Sequence, residues 1–270
     1  MRWLTLALLL VLASSVGASQ TAEETQRKPV LIACGHPHYP PVSWTEQGRL
    51  NGLAAEVAQR LFAELGYRVK LDGQGNWKRC LREVRDGRAD IVVAAYRIPS
   101  REPYLEFTRQ HLIDDKVAIF INSQRSPYVK QLEDLKGKSV GMLLGDTFGS
   151  RFDRFVQQHN KIEFVSKGHQ NFAKLALGRI DFMPLGLISG MLQNQRLGYS
   201  ELIRPLDIEF ATEYYYLAIG RNSGLQQHLA QLSLRLSELH RNGEIKRLTR
   251  KYSQIYLTSP HTADNHDGEP

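Results

Sequence analysis

Two arginines in one short loop are the residues of this sequence best suited to hold a charged small molecule. Arg97 and Arg101 follow residues 90–95, an apolar run that we interpret as a β-strand. A guanidinium group presents a planar fork of N–H donors that matches a carboxylate in a bidentate pair. Other pairings stay open, since Arg101 also has Glu102 and Glu106 nearby and Arg97 is open to neutralisation by a cleft acid. The loop predicts a carboxylate site at Arg101, with Arg97 as a candidate second cation.

The tripeptide Gly145-Asp146-Thr147 is a second candidate contact for an anion. It comes directly before residues 148–159, which show helical periodicity. The exposed N–H groups and the dipole at the start of a helix favour negative charge there. Asp146 has an alternative role, because aspartate is also a common N-terminal cap of helices.

Three aromatic residues, Tyr39, Trp44 and Trp77, are candidate walls of the same site. The face of an aromatic ring packs against an organic side chain or attracts a cation, although a core position is the alternative for each. His36 and His38 indicate a loop rather than a metal site, because a proline separates them and no Cys/His/Asp cluster is near. We expect no metal, no cofactor and no catalytic residue.

A repeated pattern of elements must position these residues. The tetrapeptide Gly-Arg-x-Asp occurs at 87–90 and at 178–181, and each copy ends a helical pattern and opens an apolar strand. Alternating strands and helices predict parallel sheets built from βαβ units, with ligands bound at the carboxyl edges. Asn51 and Asn76 are placed to cap two of the helices. The predicted elements are Val30–Cys34, 52–65, 67–71, 77–84 and 90–95 in the first copy, and 139–144, 148–159, 162–165, 171–177 and 181–184 in the second.

The chain is predicted to cross twice between two lobes. Residues 113–116 lead into a new strand at 117–121, residues 214–220 form a returning strand, and helical patterns follow at 225–239 and 244–256. Two crossings make a hinge that permits closure around a ligand. The predicted division is lobe 1 at 29–112 plus 217–257, lobe 2 with the hinge segments at 113–216, and a disordered tail at 258–270.

The N-terminus predicts export. Arg2 precedes an apolar run at 3–13 and the small residues Val16-Gly17-Ala18, the pattern of a signal peptide cleaved near Ala18. No cysteine follows at a lipid-attachment position. Residues 1–18 are therefore expected to be a signal peptide, and the mature chain a soluble periplasmic protein.

The charge balance is basic but dispersed. The net charge is +7 and the pI is about 9.4, yet basic residues are interspersed with acids and no block of five like charges occurs. This dispersion disfavours a nucleic-acid partner, while a positive field around an exported protein attracts small anions.

The two cysteines, Cys34 and Cys80, belong to an exported chain, and that compartment permits disulfides. One ends the first predicted strand, and the other lies in the first turn of the second predicted helix. In a 2-1-3 strand order they come near one edge, but helix-on-sheet spacing makes their separation borderline for a bond. A disulfide and two buried thiols both stay open.

Several motifs together resemble the bacterial periplasmic solute-binding proteins of extracellular family 3, the polar-amino-acid type of ABC transporters. The resemblance covers nearly all of the mature chain. The motifs are Tyr39-Pro40-Pro41-Val42-Ser43-Trp44, Gly52-Leu53-Ala54-Ala55-Glu56-Val57, Ser100-Arg101 with Phe107-Thr108, Leu135-Lys136-Gly137-Lys138-Ser139-Val140-Gly141, Gly145-Asp146-Thr147 and Asn242-Gly243-Glu244-Ile245.

The resemblance implies a two-lobed periplasmic-binding-protein fold of α/β class, and it implies roles for individual residues. In similar proteins the arginine at the place of Arg101 holds the ligand α-carboxylate, and the hydroxyl at the place of Thr147 completes the clamp. Trp77 aligns with the aromatic that stacks on the ligand. The implied partners are a small carboxylate-bearing solute and an inner-membrane ABC permease, and we expect a monomer.

The sequence departs from the family where the ligand α-ammonium is usually bound. Gly186 stands where similar amino-acid binders carry an aspartate, and His36 stands where an acid often follows the first strand. Glu209 or Glu213 are candidate substitutes near the second crossing. With two cleft cations and no acid at Gly186, we expect acidic or amine-poor carboxylates to bind at least as well as lysine- or arginine-like solutes.

Two other functions remain compatible with this fold. One is a cyclohexadienyl or arogenate dehydratase-like enzyme, which needs arginines for carboxylates and a cleft acid such as Glu209 or Glu213 as general acid. The other is a ligand-sensing module that presents its closed form to a membrane receptor.

Overall fold

The computed structural model describes residues 29–73, 75–125, 128–208 and 211–259. The predicted signal peptide at 1–18, Glu209 and positions 260–270 of the predicted tail lie outside these ranges. No helix in the described ranges combines the length and the apolar character needed to cross a membrane.

The first part of the chain contains one βαβαβ unit and a small antiparallel sheet inserted after its first strand. Its elements are β1 (Val30–Cys34), β2 (His38–Tyr39), β3 (Ser43–Glu46), β4 (Arg49–Asn51), α1 (Leu53–Glu64), β5 (Arg68–Asp72), α2 (Trp77–Arg85), β6 (Ile91–Tyr96) and β7 (Leu105–Phe107).

The second part begins with a long strand and repeats the unit with an added helix. Its elements are β8 (Ile113–Asn122), β9 (Ser139–Leu143), α3 (Ser150–His159), β10 (Lys161–Val165), α4 (His169–Ala176), β11 (Phe182–Gly186), α5 (Leu187–Arg196) and β12 (Ile203–Pro205). The chain then returns through β13 (Ala211–Gly220) to α6 (Leu229–Arg241) and α7 (Glu244–Thr258).

One continuous sheet of ten described strands runs through both parts, in the order β10-β9-β11-β8-β13-β6-β1-β5, with β12 beside β8 and β7 beside β13. The strands β5, β1 and β6 are parallel neighbours, as are β10, β9 and β11, so the 2-1-3 order occurs twice. The strands β8 and β13 are antiparallel to each other and join the two parallel groups. The predicted repeat and the two crossings are therefore present in the structure.

Each parallel group packs a core of its own. In the first, α1 buries Leu53, Val57 and Leu61, which recur every four residues on one face. In the second, Phe148 and Phe182 are among the largest fully buried side chains. Burial of such aliphatic and aromatic side chains stabilises a fold by about 1.5–3 kcal/mol each.

The start of α1 corrects one expectation. Asn51 does not cap the helix; its side-chain amide donates to the Arg49 carbonyl at 3.1 Å, and Gly52 occupies the cap position. Gly52 has a φ of 120°, and a Cβ there would lie 2.3 Å from the Val42 carbonyl oxygen. The close chain approach therefore requires glycine. The second expected cap is confirmed, because the Asn76 side chain accepts from the Arg79 N–H at 2.9 Å.

The boundaries of two predicted segments differ in the structure. The expected first crossing at 113–116 already belongs to β8, and Thr258, assigned to the tail, ends α7. The small sheet β2-β3-β4 and the helix α5 were not predicted. Helix α5 was missed because Ser189 and Gly190 weaken the helical signal near its start.

Gly190 allows α5 to pack closely on β8. A Cβ at this position would lie 2.1 Å from the tip of the Phe120 ring, and that ring is fully buried. We expect Gly190→Ala to lower the free energy of unfolding by about 1–3 kcal/mol, since overpacking outweighs the gain in helix propensity. Urea denaturation would measure the change. Gln195→Ala, on the exposed side of the same helix, is the matched control and should change stability by less than about 0.5 kcal/mol. A Gly190→Ala protein as stable as wild type would contradict the packing explanation.

The two cysteines form a disulfide between the end of β1 and the first turn of α2. Their Cα atoms are 5.7 Å apart, which is inside the range that a disulfide spans. The bond fixes the helix that begins with Trp77 against the sheet, so it also positions one wall of the candidate site.

Candidate functional site

Arg101 is buried at the carboxyl edge of the first parallel group without an acidic partner. Its guanidinium donates to the Tyr96 carbonyl at 3.1 Å and to the Gly145 carbonyl at 3.4 Å, and it lies 5.3 Å from the Trp77 ring centroid. In the described part of the chain no carboxylate forms an ion pair with it. Burial lowers the pKa of this guanidinium, while the Tyr104 and Asp146 side chains act in the opposite direction. A buried, partly unpaired guanidinium is suited to receive an anion.

A cluster of tyrosines surrounds a second buried charge, Asp115 on β8. The hydroxyl groups of Tyr39 and Tyr96 both donate to Asp115 Oδ2, the first at 2.6 Å. The Tyr215 ring packs on both tyrosines, with centroid separations of 5.3 Å and 4.5 Å. Burial raises the pKa of the Asp115 carboxyl to about 6, although the two hydrogen bonds lower it. The described residues supply no basic partner for this carboxylate.

Gly186 lies directly against this carboxylate. A Cβ built on Gly186 would be 2.1 Å from Asp115 Oδ1 and 2.5 Å from the Tyr39 hydroxyl oxygen. The Gly186 N–H donates to the same Tyr39 hydroxyl at 2.7 Å. The strand register explains the contact, since Gly186 on β11 pairs with Val117 on β8, two residues beyond Asp115. The glycine therefore makes room for an acid that comes from another strand.

His36 and Asp146 link the two halves of the site. The His38 N–H donates to His36 Nδ1 at 3.0 Å, so the ring proton is assigned to Nε2, which contacts Asp146 Oδ1 at 2.9 Å. Asp146 thus pairs with a histidine from the first part of the chain and does not cap α3. The second histidine, His38, is half-buried, and its removal from water, together with the neighbouring His36, lowers its pKa to about 3. Among the described residues no group of three His, Cys, Asp or Glu side chains is arranged to hold a metal.

Thr147 is engaged within its own turn. Its hydroxyl donates to Asp153 Oδ2, and the Phe148 N–H donates to Asp153 Oδ1 at 3.0 Å. Helix α3 begins at Ser150 with Gly149 at the cap position, two residues later than expected. Burial raises the pKa of the Asp153 carboxyl, and these hydrogen bonds act against that rise. In this conformation the Thr147 hydroxyl and the Phe148 N–H, donors expected to reach the ligand, are hydrogen-bonded to Asp153.

The structure brings four of the predicted site residues close together: Tyr39, Trp77, Arg101 and Asp146. Two other candidates, Trp44 and Arg97, lie away from this group. Trp44 is buried under α7, where its ring contacts those of Tyr252 and Tyr256. Arg97 is exposed and pairs with Glu102, Nε to Oε1, at 2.9 Å. The structure therefore gives the cleft one buried arginine, and the expected second cation is neutralised outside it.

Glu213 faces a different region. Glu213 on β13 stands opposite Asp115 on β8 in the strand register, but its carboxylate lies beside Gly149. Burial and the nearby Asp153 raise the pKa of the Glu213 carboxyl. It borders a cavity of about 380 Å³ on the second part of the chain. The other residues lining this cavity are Val117, Lys130, Gln131, Leu132, Glu133, Phe148, Gly149, Ser150, Arg151, Phe152, Ile208 and Ala211.

Contacts between the two parts of the chain close the cleft in this structure. Arg196 and Glu46 form an ion pair at 2.6 Å, and the Gln193 amide donates to the His38 carbonyl at 3.1 Å. The cavity beside His36 and Asp146 has a volume of about 20 Å³, enough for about one water molecule. Entry of a small solute requires these contacts to separate.

Asp115, Tyr96 and Tyr215 belong to the site and were not predicted. The available signal was the doublet Asp114-Asp115 at the start of a strand that is otherwise largely buried. One of two neighbouring strand residues faces inward, so one of these acids had to be buried. From the sequence, Asp114 and Asp115 were instead assigned to the crossing segment at 113–116. Asp115 lies against Gly186 and Arg97 is paired with Glu102, so the structure supports neither of the two observations on which the expected preference for acidic or amine-poor ligands depends. The preference itself stays a prediction.

Comparisons with known proteins agree with this architecture. A family model described as bacterial extracellular solute-binding proteins, family 3, matches residues 31–255. The L-cystine-binding protein TcyJ of Escherichia coli (strain K12) is 23% identical over 221 residues, which cover 79% of this chain and 79% of that protein.

Two solved structures have the same fold. A histidine kinase sensor domain with similarity to periplasmic binding proteins gives a TM-score of 0.71 at 22% identity, covering 84% of this chain and 97% of that chain. An ancestral arginine-binding protein bound to arginine also gives a TM-score of 0.71, at 20% identity. The match covers 84% of this chain and 99% of that chain. The predicted two-lobed α/β fold of the periplasmic binding proteins is thereby confirmed.

Proposed function

Because this chain belongs to the bacterial extracellular solute-binding proteins of family 3, we propose that it closes on a small carboxylate-bearing solute, an amino acid or a related compound. We further propose that it acts as a monomer in the periplasm and delivers the solute to an ABC permease of the inner membrane. The names of its relatives support an amino acid, since they bind L-cystine and arginine.

Arg101 is the observation that carries this proposal. It is 4% exposed and, within the described ranges, its guanidinium donates to two backbone carbonyls and to no side chain, so most of its charge-assisted hydrogen-bonding capacity is available to a ligand carboxylate. Trp77 lies against the guanidinium and offers its ring to the organic part of the solute.

Closure is proposed to occur about β8 and β13. Lobe 1 would comprise 29–112 with 217–257, and lobe 2 with the hinge segments would comprise 113–216. The contacts of Arg196 with Glu46 and of Gln193 with His38 would then break on opening and reform around the solute.

A thermal-shift screen tests the proposal, because a ligand that binds only the folded state raises its stability by mass action. The panel contains the standard L-amino acids, L-cystine, dicarboxylates and polyamines. For the compound with the largest shift, we expect Arg101→Ala to weaken binding at least about tenfold, since a charge-assisted bond to a desolvated carboxylate contributes about 1.5–3 kcal/mol. Calorimetry at fixed salt measures the affinity.

Arg97→Ala is the matched control from the same loop. It removes an exposed guanidinium already paired with Glu102, so affinity should change by less than about twofold. Equal affinities of wild type and Arg101→Ala, in a variant that is folded by circular dichroism, would discard the assignment of the carboxylate site.

Two further measurements separate this function from its alternatives. Incubation with prephenate or arogenate distinguishes a carrier, which forms no aromatic product, from a dehydratase. Of the two general acids considered for a dehydratase, Glu209 lies outside the described residues, and the Glu213 carboxylate lies beside Gly149. Uptake of labelled solute by cells with and without the gene distinguishes delivery to a permease from sensing.

A further inference from the structure

Two opposite charges are buried at the two ends of one tyrosine, and neither has a charged partner among the residues that the structure describes. Arg101 donates to the backbone carbonyl of Tyr96, while the hydroxyl group of Tyr96 donates to Asp115. Arg101 is 4% exposed and Asp115 is 8% exposed, so both charges are largely removed from water. Buried charges are strongly unfavourable unless they are paired. A single ligand with a negative and a positive end would pair both.

The Asp115 carboxylate has one oxygen free for such a ligand. Both tyrosine hydroxyls donate to Oδ2, and Oδ1 accepts no hydrogen bond from any described residue. Oδ1 is the atom closest to the place where a side chain on Gly186 would begin, at 2.1 Å from the Cβ position. Oδ1 therefore lies against the Gly186 end of β11, a strand of the second part of the chain.

We propose that Asp115 binds the ammonium group of a zwitterionic ligand whose carboxylate is held by Arg101. In this chain the acid comes from β8, and Gly186 on β11 leaves the space that it occupies. Tyr39 and Tyr96 hold the carboxylate in place through hydrogen bonds to its Oδ2 atom. The inference rests on the proposed function and narrows its substrate class to α-amino acids.

The test compares amino acids with the same acids lacking the α-amino group. The probe pairs are L-cystine with 3,3′-dithiodipropionate, L-arginine with 5-guanidinopentanoate, and L-glutamate with glutarate, all measured by calorimetry at fixed salt and pH 7.5. For the pair that binds wild type best, the amino acid should bind at least about tenfold more tightly than its deaminated analogue. In Asp115→Asn, which keeps the shape of the side chain, that preference should fall to less than about threefold.

A swap of positions provides the second arm. Asp115→Ala combined with Gly186→Asp moves the carboxylate to β11, where Gly186 has an ordinary φ of −57° and Asp115 no longer blocks the side chain. The Tyr39 hydroxyl, 2.5 Å from the Cβ position, must shift to make room, which the far end of that side chain permits. In wild type, the binding free energies of the amino acid and its deaminated analogue differ. The double variant should regain at least half of that difference, whereas Asp115→Ala alone should not.

The outcomes separate this inference from the function on which it rests. A wild-type protein that binds an amino acid, with an Asp115→Asn variant that keeps the full preference, would overturn the role of Asp115 and leave the binding function intact. Equal binding of each deaminated analogue by wild type would also overturn it. Binding of none of the carboxylates by wild type would overturn both.

Discussion

Replacement of Cys34 and Cys80 together by serine is expected to lower the free energy of unfolding by about 4 kcal/mol. The bond joins residues 46 positions apart in sequence, and the loop-closure entropy of a loop of that length corresponds to roughly this value at 25 °C. The two side chains are also buried, so the hydroxyl groups of the serines would lie in an apolar cluster beside Trp77 and Val84.

Urea denaturation measures this loss, and two comparisons isolate its cause. Wild type under reducing conditions loses the bond but keeps the sulfur atoms. Its decrease in the free energy of unfolding should therefore be most of the decrease seen in the double variant. The single variant Cys80→Ser should resemble the double variant, because one cysteine cannot form the bond. A double variant within about 1 kcal/mol of wild type would show that the unfolded chain is little constrained by the bond.

The disulfide also affects the proposed site through the helix that it anchors. Trp77 lies three residues before Cys80 in α2, and Asn76 caps the same helix. Loss of the bond should therefore weaken ligand binding through the position of the Trp77 ring, in addition to its effect on stability. The same bond that stabilises the lobe thus holds one wall of the cleft.

The repeated units were predictable because their signals are local. Apolar periodicity and the two Gly-Arg-x-Asp tetrapeptides mark each strand and helix within a short window, and parallel βαβ units have few alternative arrangements. Arg101 and Trp77 could be predicted as site residues for the same reason, since Arg101 lies in the loop that follows β6 and Trp77 begins α2. The resemblance to a family then assigned them roles that periodicity alone does not.

The position of Asp115 could not be predicted because it depends on which strands pair. Asp115 and Gly186 are brought together by the antiparallel register of β8 and β11, although long segments of chain separate them in sequence. Likewise, the sequence places Arg97 in the same loop as Arg101, but the Arg97 side chain is exposed and pairs with Glu102. Sequence position indicates the loop that carries an arginine, and packing decides the direction of its side chain.

The buried Asp115 carboxylate leads to the second large prediction, for the protein without ligand. Its pKa is raised from the ordinary value of 3.8 to about 6, mainly by burial, so the folded state holds this proton more tightly than the unfolded state does. The contribution of Asp115 to stability is therefore highest below pH 3.8, falls as the pH rises to about 6, and stays low above it. An amide in place of this carboxyl would carry no charge at any pH, so we expect Asp115→Asn to be more stable than wild type at pH 8, by on the order of 3 kcal/mol.

The difference between variant and wild type, measured by urea denaturation from pH 4 to pH 8, isolates this effect because other titrating groups contribute to both proteins. The difference should be near zero at pH 4 and should grow through the range in which Asp115 ionises. Asp114→Asn, on the exposed neighbour in the same strand, is the matched control and should give a much smaller change across the range.

An Asp115→Asn protein that is less stable than wild type at pH 8 would mean that the hydrogen bonds from Tyr39 and Tyr96 more than offset the cost of burying the charge. In that case the ionised carboxylate would stabilise the closed conformation by itself, and the cleft would not need a ligand cation to balance it.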